Sequence, residues 1–141
     1  VLIGCFGLGL PTAADDLARA LPRTGVTGAV RLGVVEPHGA HVVATCDLRP
    51  YGDENSSWWL ASDLSELATG SVLATDHVLG IGGASISLAR AIIRDPVGSA
   101  LDLGTGCGIQ ALHLDTHADS IVATDTNPRA LALAAATAPL R

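Results

Sequence analysis

Two short apolar runs in the C-terminal half of the chain constrain the fold more than any other feature. The first is SALDLG, residues 99–104, and the second is SIVATD, residues 120–125. Each is followed by a helical pattern, CGIQALHLD after the first and NPRALALAAATAPL after the second. A strand, a helix and a second strand in this order predict a β-α-β crossover with parallel strands and a right-handed connection. We predict both strands to be buried.

Three glycines, Gly104, Gly106 and Gly108, follow the first strand at every second position, behind Asp102. A glycine-rich turn between a strand and a helix lets a ligand touch the backbone, because no side chain intervenes. Ligands of open α/β sheets bind beyond the carboxyl ends of the strands, where this turn lies. The spacing does not match the dinucleotide fingerprint G-x-G-x-x-G, and the chain has no lysine for a P-loop. The pattern therefore disfavours a phosphate-binding loop.

An acidic residue, Asp125, closes the second strand, 23 residues after Asp102. A carboxylate at this place can accept hydrogen bonds from both hydroxyls of a ribose. A hydrogen bond to a charged group contributes about 1.5–3 kcal/mol. We therefore predict a nucleoside site, in which loss of this carboxylate weakens binding by roughly tenfold or more.

With both elements present, the sequence resembles the cofactor half of a class I S-adenosylmethionine-dependent methyltransferase. ALDLGTGCG resembles the first motif of that family, and VATDTNPRALALA resembles the second. The Asp-Leu-Gly-Thr-Gly-x-Gly pattern is most similar to the methyltransferase-small subgroup, which includes release-factor glutamine methyltransferases and enzymes that methylate exocyclic amino groups of nucleic-acid bases. The resemblance covers residues 71–141. The preceding part, including DLRPYGDENSSWWLASDL, looks like a group of actinobacterial methyltransferases.

The resemblance implies S-adenosyl-L-methionine as the cofactor. It implies that the three glycines wrap the methionine part and that Asp102 lies near the amino group. It further implies that Asp125 takes the ribose hydroxyls and that Thr126 and Asn127 line the adenosine side. The full set of implied cofactor-binding residues is Asp102, Gly104, Thr105, Gly106, Gly108, Asp125, Thr126 and Asn127.

The resemblance also implies a parent enzyme that transfers a methyl group to a nitrogen of a protein glutamine or of a nucleic-acid base. The subgroup carries an Asn-Pro-Pro-Tyr-like motif after its fourth strand, and these 141 residues contain none. Only two strands of an expected seven are present. We therefore expect an N-terminal part of a longer protein that is inactive by itself, with the catalytic residues beyond Arg141. An exposed apolar strand edge would favour homo-oligomers.

The N-terminal half predicts a winged-helix-like α+β module. PTAADDLARAL reads as a helix that Thr12 caps, with Asp15 three residues on. VTGAVRLG predicts a helical turn that ends at Gly33, and VVEPHGAHVVATCDL predicts a hairpin. The predicted fold class is therefore α/β, with a winged-helix-like module at residues 1–70 and the first β-α-β portion of a Rossmann-like methyltransferase domain at residues 71–141.

Charge and composition exclude some partners. The net charge is −6. Residues 1–70 carry four arginines and eight acidic residues, and the predicted helical turn contains only one of these arginines, Arg31. This balance argues against direct DNA binding and favours a substrate-recognition or dimerisation module. The longest apolar run, residues 1–10, is too short to cross a membrane. Three widely spaced cysteines form no disulfide framework or zinc cluster, which predicts a cytoplasmic protein and no metal site.

Two other functions stay open. One is a nicotinamide-dependent oxidoreductase, which the glycine spacing disfavours, and the other is a non-enzymatic winged-helix regulator. Structural roles also stay open for the site residues: Asp102 as a brace of the loop and Asp125 as a turn residue. Gly80, Gly82 and Gly83 form either part of the pocket entrance or a turn before a helix. Cys107 is expected to be a small filler, and His77 a structural or solvated residue.

Overall fold

The computed structural model describes residues 1–52, 54 and 56–138, which form two compact units. The first unit comprises Val1–Arg49 and Asp63–Thr75, and the second comprises Pro50–Ser62 and the described residues from Asp76 onward. Both contain helices and strands, so the chain is α/β in general, as predicted. The segment 50–62, which the sequence analysis placed in the N-terminal module, packs with the second unit. No helix among the described residues is long and apolar enough to cross a membrane.

The first unit is built around a three-stranded antiparallel sheet in which β3 lies between β1 and β2. The predicted hairpin is confirmed, since Val35 pairs with Ala44 and His38 pairs with His41. The elements of this unit are a π-helical turn (Ile3–Gly7), β1 (Thr12–Ala13), α1 (Ala14–Ala20), α2 (Gly25–Arg31), β2 (Val35–His38), β3 (His41–Ala44) and α3 (Glu66–Thr69). The core residues are Cys5, Phe6, Leu17, Ala29, Val35, Val42 and Ala44.

The predicted cap of the first helix is wrong. Thr12 belongs to β1, where it pairs with Val42, and its hydroxyl donates to the carbonyl oxygen of Leu10 at 3.1 Å. Helix α1 begins at Ala14, and no side chain caps it. Thr12 does not cap α1 because it lies in the edge strand β1, where pairing with β3 satisfies its backbone groups. The predicted stop of α2 agrees with the structure, since Gly33 follows the helix with a φ of +71°.

The second unit contains the β-α-β arrangement. Strands β6 and β7 are parallel, pairing Ala100 with Ile121 and Leu103 with Thr124, and α5 lies between them in sequence. The elements of this unit are β4 (Asp47–Gly52), which begins in the first unit and pairs with β5 (Ser57–Ser62), then α4 (Gly83–Ala91), β6 (Ala100–Leu103), α5 (Ile109–Leu114), β7 (Ile121–Thr124) and α6 (Pro128–Thr137). The predicted order of strands and helices is thus confirmed.

The predicted burial of these two strands is wrong. Side chains alternate between the faces of a strand, and Asp102 is the buried residue of β6, although Ala123, its partner on β7, is exposed. On the opposite face, Leu101 is 58% exposed and Leu103 is 75% exposed. Val122, which pairs with Leu101, is also exposed. An apolar strand pattern therefore did not distinguish one covered face from two.

A buried histidine joins the β4–β5 sheet to α5 within the second unit. Tyr51 and Trp58 pack against His113, with ring centroids 5.6 and 5.3 Å from the imidazole. The Tyr51 hydroxyl lies 2.8 Å from Nε2 of His113, and a guanidinium nitrogen of Arg94 lies 3.4 Å from Nδ1. Arginine only donates, so Nδ1 is the acceptor in that contact, and the Tyr51 hydroxyl is the hydrogen-bond partner of Nε2. The remaining tryptophan, Trp59, is exposed.

Replacing Tyr51 with phenylalanine is expected to lower the free energy of unfolding by about 1 kcal/mol, because the buried His113 loses one hydrogen-bond partner while the ring packing remains. Urea unfolding, followed by tryptophan fluorescence, measures the change. The control is Trp59→Phe on the neighbouring strand, where an exposed ring is replaced. Equal effects in the two variants would contradict a specific contribution from the bond to His113.

Candidate functional site

A cleft of about 410 Å³ lies in the second unit at the carboxyl ends of β6 and β7. Its lining comes from residues 77–80, the first turns of α4, the loop 104–107, the start of α5, and the link between β7 and α6. The carbonyl oxygen of Thr124 holds the loop by accepting hydrogen bonds from the backbone N–H groups of Gly104 and Thr105, at 2.8 and 2.9 Å. The crossover thus brings the two predicted motifs to one edge of the sheet.

The three glycines of the loop have two different roles. All have positive φ, at +73° for Gly104, +55° for Gly106 and +87° for Gly108, a conformation that other residues rarely adopt. A Cβ atom at Gly104 or Gly106 would meet no atom within 4 Å, so both expose backbone to the cleft. A Cβ at Gly108 would lie 3.2 Å from the Cβ of Ala134, so Gly108 serves the packing of α5 on α6.

The carboxylate of Asp125 joins the end of β7 to the glycine loop. Its Oδ2 accepts a hydrogen bond from the backbone N–H of Gly106 at 2.9 Å, and its Oδ1 accepts one from Asn127 at 2.9 Å. These bonds, the one from Asn127 first, lower the pKa of Asp125 below its ordinary value. The group is therefore an anion at neutral pH. Each oxygen has a second lone pair for a further donor.

Asp102 lies beneath the loop and does not line the cleft. It is 7% exposed, and its Oδ2 accepts a hydrogen bond from the Thr105 hydroxyl at 2.7 Å. Thr105 is buried and lines the cleft through its loop position. The carboxylate of Asp102 thus fixes the loop conformation from the covered side of the sheet.

Replacing Thr105 with valine is expected to lower the free energy of unfolding by about 1–3 kcal/mol, because the buried carboxylate of Asp102 loses a donor while the side-chain volume stays nearly constant. Thermal unfolding monitored by circular dichroism measures the change. Thr126→Val is the matched control, since Thr126 is exposed and outside the cleft. A loss of stability no larger than that of the control would refute the bracing role of Thr105.

Asn127 lines the cleft and holds one of its walls. Its Oδ1 accepts a hydrogen bond from the backbone N–H of Arg129 at 2.9 Å and thereby caps α6. Its Nδ2 donates to the carbonyl oxygen of Asp76 at 2.7 Å, at the start of the segment that forms the wall. Of the eight predicted site residues, five line the cleft, namely Gly104, Thr105, Gly106, Asp125 and Asn127, while Asp102, Gly108 and Thr126 do not.

The sequence predicted the wall formed by residues 77–80 only through its glycines, of which Gly80 lines the cleft and Gly82 and Gly83 do not. His77 lines the cleft, as does Gln110, whose amide donates to the carbonyl oxygen of Ser85 at 2.9 Å. Gly80 also lines the cleft, and a Cβ there would lie 2.7 Å from the Ser62 hydroxyl oxygen. The glycines around residue 80 were a partial signal for this wall. Nothing in the sequence signalled Gln110, because its role depends on how α4 packs beside α5.

Cys107 lines the cleft but has the properties of a packing residue. It is buried among apolar side chains of the second unit. Desolvation raises the pKa of its thiol, with only partial compensation from backbone hydrogen bonds. The thiol therefore stays protonated at neutral pH and is a weak nucleophile.

The described side chains that line the cleft include an anion and no arginine. The anionic residue is Asp125. A second cavity, of about 430 Å³, lies between α5, β7 and α6 and is walled largely by alanine and other apolar side chains. Its lining includes the carboxylates of Asp115 and Asp119 but neither Gly104 nor Gly106, so the cleft at the glycine loop, which contains both predicted motifs, is the candidate site.

A known protein family matches part of the first unit. Residues 1–45 are similar to a family described as a domain of unknown function, DUF7059. No curated protein matches the chain. The similarity ends before the first residue of the second unit, which contains the cleft.

Proposed function

We propose that the cleft binds S-adenosylmethionine and that this chain is the cofactor-binding part of a class I methyltransferase. The observation that carries the proposal is the ionised Asp125 carboxylate, which lines the cleft and accepts a hydrogen bond from the backbone N–H of Gly106. We further propose that the chain folds as a winged-helix-like module followed by a Rossmann-like portion. We also propose a cytoplasmic location.

A ribose diol and an amino-acid tail would meet complementary groups in this cleft. The free lone pairs of Asp125 suit two adjacent hydroxyl donors. Gly104 and Gly106 leave open space where a Cβ would otherwise stand, so a ligand can approach the main chain there. Both features lie within one cleft of about 410 Å³, a volume typical of small-molecule sites.

The charge of the cleft favours a sulfonium over a pyrophosphate. In a dinucleotide-binding site an acidic residue at this place also takes ribose hydroxyls, and the pyrophosphate lies on the glycine turn, where the described lining offers no arginine. The anion of Asp125 beside that turn attracts a cationic sulfonium. The glycine spacing, which does not match G-x-G-x-x-G, disfavours the oxidoreductase alternative.

The chemistry requires alignment more than acid–base catalysis. When bound, the sulfonium supplies an activated methyl group for in-line transfer to a nitrogen acceptor of a protein glutamine or a nucleic-acid base. The residues of this chain would bind and orient the donor: Asp125 at the ribose, the loop backbone at the tail, and Asn127 by holding the opposite wall. Such positioning is a major source of rate enhancement in bimolecular transfer.

Isothermal titration calorimetry with S-adenosylhomocysteine and with NAD tests the proposal on the purified protein. We expect saturable binding of S-adenosylhomocysteine and none of NAD. Binding of NAD alone would favour the oxidoreductase. Absence of binding by either ligand, in a protein whose circular dichroism shows it to be folded, would overturn the nucleoside site.

A further inference from the structure

A small concavity in the first unit collects two arginines around α2. It has a volume of about 370 Å³ and is lined by Arg23, Thr24, Gly28, Arg31 and Leu32. Arg23 precedes the helix, and Arg31 is in its last turn. Arg31 belongs to the predicted helical turn VTGAVRLG, whereas Arg23 lies before that turn. The fold places Arg23 at the same concavity.

Arg23 and Arg31 are the two arginines of the first unit that form no ion pair with a described residue. Of its four arginines, Arg19 forms an ion pair with Asp16, and Arg49 forms one with Asp47. Arg23 and Arg31 are exposed and form no ion pair or side-chain hydrogen bond within the described part of the chain. Two such cations in one concavity are a local exception to the acidic balance of residues 1–70, which argues against direct DNA binding by the module as a whole.

The side chains of the concavity offer donors and no carboxylate. The Thr24 hydroxyl makes no hydrogen bond to another described residue, although the Thr24 carbonyl accepts one from Gly28. Guanidinium groups present a planar fork of N–H donors that matches the oxygens of a phosphate, and a hydroxyl adds one donor. A carboxylate or phosphate oxygen would be the complementary partner, and a cation would find no carboxylate in this lining.

We propose that Arg23, Thr24 and Arg31 form a phosphate-binding site, and that the phosphate belongs to the backbone of a nucleic-acid strand. The concavity is larger than one phosphate group needs, which leaves room for the sugar on either side. Leu32 is 71% exposed at its rim and offers an apolar contact to that sugar. Phosphate contacts of this kind position a strand without reading its sequence. The site does not depend on methyl-donor binding in the other unit.

The test compares two probes on the full chain. Inorganic phosphate reports the shared chemistry, and a short single-stranded oligonucleotide reports the phosphodiester source. Chemical shifts of the arginine Nε–Hε groups and of the α2 amides, followed by NMR during titration, measure binding to each probe. We expect both probes to shift these signals, with the oligonucleotide acting at lower concentration.

Arg23→Gln and Arg31→Gln test the assignment of the donors, and Arg19→Gln is the matched control because Arg19 is already paired. Each test variant is expected to weaken oligonucleotide binding about tenfold and to reduce the salt slope by about one. Unchanged thermal unfolding verifies that the variants fold. Arginine-dependent binding of inorganic phosphate alone would overturn the nucleic-acid source. Binding of neither probe, or equal loss in Arg19→Gln, would overturn the site.

Discussion

Asp125→Ala is expected to weaken binding of S-adenosylhomocysteine at least tenfold while the second unit stays folded. The variant removes both acceptors proposed for the ribose hydroxyls, and hydrogen bonds to a charged group contribute about 1.5–3 kcal/mol. It also removes the bond to the backbone N–H of Gly106, so the loop loses a tether. Calorimetric dissociation constants of the variant and the parent measure the effect.

Two further variants define the cause. Asp125→Asn keeps one acceptor oxygen and the side-chain volume, so its binding is expected to fall between those of the parent and the alanine variant. Thr126→Ala changes the adjacent exposed residue and is expected to leave binding unchanged. If all three variants bind as the parent does, Asp125 is a turn residue and the proposed ribose contact is wrong.

The same carboxylate predicts how binding depends on pH. Hydrogen bonds from Asn127 and Gly106 lower the pKa of Asp125 from its ordinary value of 3.8. The anion, and the tether to the loop that depends on it, are therefore complete above the ordinary value and are lost as pH falls through the lowered value. Affinity should thus show no loss from titration of Asp125 between neutral pH and the ordinary carboxyl pKa.

Gly108→Ala is expected to destabilise the second unit by about 2–5 kcal/mol. A φ of +87° costs a residue with a Cβ roughly 1–2 kcal/mol. The new methyl group would also lie 3.2–3.3 Å from Ala134 of α6, and overpacking of this kind costs about 1–3 kcal/mol. Urea unfolding of the variant and the parent measures the difference.

Gly83→Ala is the matched control, because a Cβ at Gly83 meets nothing within 4 Å and its φ is not positive. Alanine is also the better helix former at the start of α4, so this variant is expected to be as stable as the parent or slightly more stable. A Gly108→Ala protein as stable as the control would refute the close approach of α5 to α6 as the reason for this glycine.

Errors in the sequence predictions arose where local signals competed with long-range pairing. Thr12 has the spacing of a helix cap, yet it pairs with Val42, 30 residues further along the chain. The strand residues Leu101 and Leu103 have an apolar pattern that predicts burial, yet one face of their sheet is exposed. Local chemistry determines which conformations a segment favours, and pairing across the chain selects among them.

The sequence by itself determined the order of strands and helices in the β-α-β part, the hairpin of the first unit and the glycine-bearing turn after β6. These features follow from side-chain periodicity and backbone sterics, which act within a few residues. Only the tertiary structure decided that Gly104 and Gly106 open onto a cleft while Gly108 packs on α6, and that Arg23 and Arg31 line one concavity. Those outcomes depend on which elements pack together, and packing joins residues that no local pattern relates.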